Sequence, residues 1–269
     1  MIDLTKGPIF LFSAGWRSGS TLVQRLLSST GEVMMWGEPF GALDKLRDAD
    51  QCLALAAATP TKVSLNSELA GSGAKQFQEF VSSGCDPAKT WIANVAPPEA
   101  SVKHAFAELF TGLYGVESSR LGYSRWGIKE VRSDAEVARW LYSIFPNSKF
   151  VFLIRDPRDT ILSIKRRNWL GRKSGFATAL YFARHWSALA SSFLSADFGY
   201  LLRYEDLIAD PEAELSKLGR YLSMPNLNPE FIGKSRIDWS QMNSESLSFL
   251  DTIIINQVTA SVRKRLNYL

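Results

Sequence analysis

A short polar loop near the N-terminus holds the first residues whose types and spacing could do chemistry. Gly15 and Gly19 bracket this loop, and Arg17 is the only cation inside it. A short apolar run at 9–12 precedes the loop, and apolar residues at helical spacing follow it from Ser20 onward. A glycine-bearing loop between a strand and a helix directs free backbone N–H groups and a helix N-terminus at an anion. The loop therefore predicts an oxyanion site.

This loop differs from the one that binds nucleoside triphosphates. That loop reads G-x-x-x-x-G-K-[ST], whereas here three residues separate the glycines and Ser20 stands where the lysine would be. A guanidinium grips phosphate or sulfate oxygens with two N–H groups, whereas an ammonium acts as a point charge. Arg17 therefore favours an oxyanion that needs no metal-bound γ-phosphate. An ordinary turn with an exposed arginine is the alternative interpretation of the loop alone.

A second group of cations follows the most apolar strand pattern in the chain. Residues 149–154 are nearly all apolar, as is typical of a strand buried on both faces of a parallel sheet. The stretch 155–173 then carries a local charge of +5. Arg155 directly follows the strand and could bind an anion or form a salt bridge with a neighbouring aspartate. Lys165 and Arg166 are expected on a solvated helix face.

The elements that must position these groups alternate along the chain. The order of strands and helices predicts an α/β fold: one domain, 1–269, with a parallel sheet flanked by helices and a P-loop-like architecture. The predicted layout is a core of about 8–40 and 126–222, an insertion of about 41–125 and a helical tail of about 244–269. The predicted strands are 9–12, 32–36, 126–131, 149–154 and 200–203.

Two further charged residues lie where predicted strands end. Glu38 follows the second strand, and Lys129 lies near the end of the third. Because parallel sheets bind ligands at the carboxyl edge of their strands, we expect both near the cationic turns. The alternatives are an exposed loop glutamate and a structural ion pair between Lys129 and Glu130 or Glu38.

Composition narrows the protein class. The net charge of +4 is too small to argue for nucleic acid by itself, and the apolar content is ordinary for a globular protein. Cys52 and Cys85 stand far apart without His or Cys companions, which excludes a zinc cluster of usual spacing and favours a reducing, cytoplasmic location. Neither a signal peptide nor a membrane-spanning segment is predicted.

Three stretches in order resemble the sulfotransferases that use 3′-phosphoadenosine 5′-phosphosulfate (PAPS). They span residues 8–40 and 126–222, and the loop beginning Arg-Ser-Gly is most similar to the tyrosylprotein and carbohydrate subgroup. The matching stretches are Arg17-Ser18-Gly19-Ser20-Thr21-Leu22, then Phe152-Leu153-Ile154-Arg155-Asp156-Pro157-Arg158 with Ser163, and finally Tyr204-Glu205-Asp206-Leu207 before Asp210-Pro211.

The resemblance implies a nucleotide held at two separated anions. PAPS would be the co-substrate, adenosine 3′,5′-bisphosphate the product, and no metal would be required. The 5′ side would be held by Arg17, Ser18, Gly19, Ser20, Thr21 and Leu22. The 3′-phosphate would be held by Arg155 and Ser163, together with Arg167, one helical turn beyond Ser163, and Tyr204.

The resemblance also implies catalytic roles. Sulfuryl transfer between oxygens resembles phosphoryl transfer, in which the protein mainly positions groups and stabilises charge. Glu38 would accept the proton of the acceptor hydroxyl. Lys129, with Arg17, would stabilise the transferring sulfuryl group. A histidine base is not supported, and His185, among apolar residues of a predicted helix, is expected to be structural.

The acceptor is not identified by the sequence. We expect a hydroxyl on a small molecule, a carbohydrate or a tyrosine-like phenol, and neither nucleic acid nor membrane as a partner. Two alternatives are a kinase or NTPase of the same architecture, which the missing loop lysine disfavours, and a catalytically silent protein that binds nucleotides or nucleic acid through residues 155–173.

Overall fold

A computed structural model describes residues 6–58, 82, 97, 99–166, 176–234 and 246–268. The structure contains two compact units. One comprises Met1–Gly41 and Tyr114–Leu269, and it holds the sheet. The other, Ala42–Leu113, lies within the predicted insertion. No helix among the described residues is both long enough and apolar enough to cross a membrane.

The first unit is built on a five-stranded parallel sheet. The strands are Ile9–Ser13 (β1), Val33–Trp36 (β2), Arg125–Glu130 (β3), Lys149–Ile154 (β4) and Tyr200–Arg203 (β5). Their order is β2-β3-β1-β4-β5, with Ile9 of β1 paired to Gly127 on one side and Lys149 on the other. Every residue of β1 is buried, because helices cover both faces of a parallel sheet. The predicted parallel α/β fold is confirmed.

Helices follow each strand, as the sequence pattern predicts. In the sheet-containing unit they are Ser20–Ser28 (α1), Glu117–Arg120 (α4), Ala135–Ile144 (α5), Pro157–Arg166 (α6), Phe176–Leu194 (α7), Tyr204–Ala209 (α8), Pro211–Leu222 (α9), Glu230–Lys234 (α10) and Phe249–Arg265 (α11). The second unit contains Ala42–Ala58 (α2) and Glu99–Phe110 (α3), which pack together, and α3 continues as a π-helical turn at Thr111–Val116.

Side-chain caps decide where several helices begin. Asp210 caps α9 through the backbone N–H of Ala213, as the Asp-Pro pattern predicts. The cap of α5 is Asp134, whose carboxylate accepts the N–H groups of Glu136 and Val137 in the first turn. The tail helix starts only after Ser248, which forms a capping box with Asp251.

The core lies on both faces of the sheet. Phe10, Phe12, Phe150 and Phe152 stack on one face, with ring centroids 5.1 Å apart for Phe10 and Phe150. Leucine, isoleucine and valine side chains of β1, β4, α1 and α9 fill the other face. Each such side chain contributes about 1.5–3 kcal/mol when fully buried. This packing fixes the strand ends, where the predicted ligand-binding residues lie.

The prediction for Lys165 was wrong. Its side chain is only 9% exposed and forms an ion pair with Asp251 of α11. The sequence pattern assigns the charged face of α6 to solvent, but α11 covers this position. A charged residue on an amphipathic helix is buried when another helix supplies its counter-ion.

Candidate active site

The loop between β1 and α1 is held closed by its own side chains. The Ser18 hydroxyl is buried and lies 2.9 Å from Ser13 Oγ and 3.0 Å from the carbonyl oxygen of Gly15. The backbone is left-handed at Gly15 (φ 91°), Arg17 (φ 64°) and Gly19 (φ 96°). At Arg17, which carries a Cβ, this conformation costs about 1–3 kcal/mol, and such strain is concentrated at functional sites.

The first turn of α1 offers backbone donors. The carbonyl of Gly19 accepts the N–H groups of Leu22 (2.9 Å) and Val23 (3.2 Å). The N–H groups of Ser20 and Thr21 have no acceptor within the helix and lie at the positive end of its dipole. Any contact of Ser18 with a ligand would have to use its backbone, since its hydroxyl is turned inward. The side chain of Leu22 packs against the core.

Arginines from two distant segments are joined beside this loop, through one side chain and one backbone carbonyl. Arg17 Nε donates to Ser163 Oγ at 3.1 Å, and Arg155 Nη1 donates to the carbonyl oxygen of Arg17 at 3.3 Å. Arg155 also lies 3.7 Å from Asp159, the alternative partner, whose side chain is 57% exposed. Arg155 Nε is buried and has no hydrogen-bond partner among the described residues. Predicted Arg167 lies outside those residues.

Tyr204 closes this cluster from α8. The guanidinium carbon of Arg155 lies 4.5 Å from the centre of the Tyr204 ring. A Cβ added at Gly19 would lie 2.4 Å from Cδ2 of the same ring. Gly19 is therefore required both by its backbone angle and by the close approach of Tyr204. Four residues predicted from three separate motifs, Arg17, Arg155, Ser163 and Tyr204, thus form one contact group.

Glu38 and Lys129 also meet at this edge of the sheet. Lys129 Nζ lies 3.0 Å from Glu38 Oε1, and Arg132 Nη1 lies 3.0 Å from Glu38 Oε2. The side chain of Lys129 is 9% exposed and that of Glu38 21%. Two cations therefore fix the carboxylate in one orientation at the mouth of the site. The ion pair expected as the alternative for Lys129 is present.

Arg132 was not identified from the sequence. It follows β3 by two residues, and its N–H together with that of Val131 donates to the buried Glu130 carboxylate at 2.9 and 2.7 Å. Burial raises the pKa of Glu130 above its ordinary value, although both N–H donors oppose this shift. The position just beyond a parallel strand, which singles out Glu38, is the signal that could have found Arg132.

An aromatic cluster borders the Glu38 ion pairs. The guanidinium carbon of Arg132 lies 5.2 Å from the Trp16 ring centre and 4.8 Å from that of Phe40. Trp16 also stacks on His185 at 5.2 Å. Burial of the imidazole, helped by the charge of Arg132, lowers the pKa of His185 and favours the neutral ring. His185 is packed, as expected, but it packs against the loop rather than in the distant core.

Two hydrogen bonds with residues of α7 and α8 fix the turn that carries Arg155. Trp186 of α7 donates its indole N–H to the carbonyl of Arg155 at 2.9 Å, and the N–H of Asp156 donates to Glu205 Oε1 at 2.9 Å. These bonds fix the direction in which the Arg155 side chain leaves the backbone. Among the described residues, no group of three His, Cys, Asp or Glu could hold a metal ion.

The family model and the solved structures found by comparison with known proteins agree on the kind of protein that this chain resembles. A family model described as "Sulfotransferase family" matches residues 8–229. A sulfotransferase from Alicyclobacillus acidocaldarius has a TM-score of 0.51 at 14% identity, covering 97% of this chain and 94% of that one. A sulfotransferase from Mycobacterium avium has a TM-score of 0.50 at 11% identity, covering 97% and 77%. No curated protein matches significantly in sequence.

Proposed function

The chain belongs to the sulfotransferase family, and we propose that it transfers a sulfuryl group from PAPS to an acceptor hydroxyl, releasing adenosine 3′,5′-bisphosphate. The observation that carries this proposal is the contact of Arg155 with the backbone of the β1–α1 loop, where its Nη1 donates to the Arg17 carbonyl, while the Arg17 side chain donates to Ser163. Two arginines gathered at the N-terminus of a helix form a positively charged site that favours an anion. The donor nucleotide carries such anions at two positions.

The residues present fit this donor. The loop and the first turn of α1 would accept the 5′ side through their N–H groups. The Arg155 guanidinium, whose Nε–H has no hydrogen-bond partner among the described residues, and the Ser163 hydroxyl would donate to oxygens of the 3′-phosphate. Arg17 lies between the two sides, since its backbone belongs to the loop and its side chain reaches Ser163. We propose that it exchanges this contact for an oxygen of the bound nucleotide.

Glu38 is the proposed base. Its carboxylate would take the proton of the acceptor hydroxyl as the acceptor oxygen bonds to sulfur and the bond from sulfur to the 5′-phosphate breaks. The electrons of the broken bond stay on the phosphate oxygen of the leaving nucleotide. Lys129 and Arg132 hold the carboxylate in place at 3.0 Å each, which positions it before the reaction.

The same ion pairs suggest how charge is balanced during transfer. When Glu38 becomes neutral, its attraction for Lys129 and Arg132 falls. Both cations are then available for the negative charge that develops on the sulfuryl oxygens and the leaving phosphate. Proton transfer and charge stabilisation would thus be linked through one carboxylate.

Three finer assignments belong to this proposal. We assign the chain to the tyrosylprotein and carbohydrate subgroup because its loop begins Arg-Ser-Gly. We propose a carbon-linked hydroxyl as acceptor, with residues of the predicted insertion shaping its pocket. A cytoplasmic location follows from the two isolated cysteines, Cys52 and Cys85.

A binding and transfer experiment tests the proposal. Adenosine 3′,5′-bisphosphate at about 100 times its Kd should stabilise the protein by about 2.7 kcal/mol in thermal denaturation. ATP with Mg²⁺ should not. Incubation with PAPS labelled in its sulfuryl group should then label hydroxyl acceptors in a screen. Stabilisation by ATP–Mg²⁺ instead would support a kinase or NTPase, and nucleotide binding without any transfer would support a silent binder.

A further inference from the structure

The C-terminal helix α11 is joined to the elements that carry the proposed 3′-phosphate ligands. At its start, Asp251 accepts hydrogen bonds from the backbone N–H and hydroxyl of Ser248 and forms an ion pair with Lys165. Lys165 lies on α6, two residues after Ser163. Both carboxylate and ammonium are nearly buried, with side chains 3% and 9% exposed. The start of α11 is therefore fixed to the helix that presents Ser163.

A second contact with these elements lies just after the end of α11, at Tyr268. Tyr268, 5% exposed, donates its hydroxyl to Glu205 Oε2 at 2.6 Å. The other oxygen of Glu205 accepts the N–H of Asp156, the residue after Arg155, at 2.9 Å. The guanidinium carbon of Arg203 lies 4.6 Å from the centre of the Tyr268 ring. One carboxylate thus connects the Tyr268 hydroxyl to the backbone that aims Arg155.

We propose that Tyr268 and Glu205 are positioning residues for nucleotide binding, and that docking of the segment 246–268 and binding of adenosine 3′,5′-bisphosphate stabilise one another. This inference rests on the proposed function. Tyr268 is not proposed to contact the nucleotide. Its hydroxyl fixes the Glu205 carboxylate, which in turn accepts the Asp156 N–H and so fixes the turn that carries Arg155. Because linkage is reciprocal, docking of this segment strengthens nucleotide binding by the same factor by which bound nucleotide strengthens docking.

The first test removes one oxygen atom. Tyr268→Phe keeps the ring beside Arg203 but deletes the hydroxyl, which donates to Glu205 at 2.6 Å and also contacts Arg203 and, at 3.5 Å, the Ile154 carbonyl. We expect its Kd for adenosine 3′,5′-bisphosphate, measured by calorimetry, to rise about 5-fold or more. KM for PAPS should rise with it, while kcat at saturating PAPS stays nearly unchanged. Tyr142→Phe, on the half-exposed face of α5 away from this contact, is the matched control and should bind as the wild type does.

A second readout separates positioning from a general loss of stability. In the wild type, nucleotide should slow amide hydrogen exchange across 249–268, and in Tyr268→Phe this added protection should be largely lost. Glu205→Gln should bind nearly as the wild type, because an amide can still accept from Asp156 and donate to the Tyr268 oxygen. Glu205→Ala should match or exceed the defect of Tyr268→Phe, and it serves as the test should that variant fail to fold.

The outcomes separate this inference from the proposed function. If the wild type binds the nucleotide and Tyr268→Phe and Glu205→Ala bind it equally well, the positioning role is wrong and the sulfotransferase proposal stands. If nucleotide protects 249–268 equally in the wild type and in both variants, the coupling is likewise rejected. If the wild type itself does not bind adenosine 3′,5′-bisphosphate, the proposed function fails first.

Discussion

The carboxylate of Glu38 occupies an unusual position for a surface residue. Its two oxygens contact different cations, Lys129 and Arg132, each at 3.0 Å. Arg132 is itself aligned by Glu130, which accepts its backbone N–H. A charge network of this kind holds side chains in single rotamers, and geometry so fixed is what a proton-transfer step requires.

Replacing the Glu38 carboxylate should lower the rate of sulfuryl transfer much more than the affinity for the nucleotide. In Glu38→Gln we expect kcat for sulfuryl transfer to fall by about 10²- to 10⁴-fold, the usual contribution of a general base. The Kd for adenosine 3′,5′-bisphosphate should change far less than kcat, because the nucleotide is proposed to be held mainly by the β1–α1 loop, Arg155 and Ser163. Glu32→Gln, at a part-buried ion pair with Lys6, is the control. Wild-type turnover in Glu38→Gln would reject Glu38 as the base.

Gly19 offers a test of the loop itself. Gly19→Ala places a Cβ 2.4 Å from the Tyr204 ring at a φ of +96°. Gly31 has a φ of +72° and open space around it, so Gly31→Ala measures backbone strain alone, about 1–2 kcal/mol. We expect Gly19→Ala to lose more stability in urea titration and to weaken nucleotide binding, which Gly31→Ala should leave intact. Equal effects of the two changes would contradict the close approach of Tyr204.

At the scale of elements, the ion pair of Lys165 and Asp251 joins α6 to α11. Its burial means that removing one partner leaves an uncompensated charge, which typically costs about 3–5 kcal/mol. Burial by itself would raise the pKa of Asp251, but the Lys165 and Ser248 donors outweigh it and lower the pKa below its ordinary value. A carboxyl group whose pKa is lower in the folded state than in the unfolded state stabilises the fold at any pH above its unfolded-state pKa. This stabilisation is lost as the pH falls through the folded-state pKa.

Because the pKa of Asp251 is lowered in the folded state, the stability lost in Asp251→Asn should depend on pH. At pH 7 the variant should be clearly less stable than the wild type in urea denaturation. The difference should begin to shrink as pH falls below about 4, where the carboxyl of the unfolded chain becomes protonated, and should disappear once pH falls through the depressed pKa of the folded state. Asp197→Asn, at an exposed pair with Arg139, is the control and should change stability little at either pH. A pH-independent difference for Asp251→Asn would mean that packing rather than charge is responsible.

At the scale of the whole molecule, three cations of the basic stretch after β4 have partners within the fold. Arg158 forms a close pair with Asp156, at 2.6 Å, and Lys165 pairs with Asp251. Arg155 is turned toward the loop and Tyr204. Within the described part of this stretch, these three cations therefore do not form a free surface patch. This weakens the argument for a nucleic-acid partner that the local charge of +5 allows.

Oligonucleotide binding should accordingly be weak. Fluorescence anisotropy with a labelled single-stranded 20-mer at about 150 mM salt should give a Kd no tighter than about 10⁻⁶ M, the range of purely electrostatic contacts. Excess adenosine 3′,5′-bisphosphate should not change it. A tighter complex with a steep salt dependence, displaced by that nucleotide, would show that the cationic stretch binds nucleic acid after all.

Much of the fold could be predicted because its signals are local. Five apolar runs, each followed by a helix, identify the strands of a parallel sheet, and the order β2-β3-β1-β4-β5 brings their carboxyl ends to one edge. Glu38, Lys129, Arg17 and Arg155 follow from that rule and lie at this edge in the structure. Their chemical roles stay predictions until the variants above are measured.

The sequence by itself determined the α/β class, the loop predicted to bind an anion and the residues that meet at the end of the sheet, since each depends on a pattern within a few residues. Only the tertiary structure decided that Lys165 is buried and that Tyr268 contacts Glu205. Lys165 and its partner Asp251 lie 86 residues apart in the chain, and Tyr268 and Glu205 lie 63 residues apart. Their contacts depend on how α11 packs against the sheet-covering helices, and no short-range pattern encodes that packing.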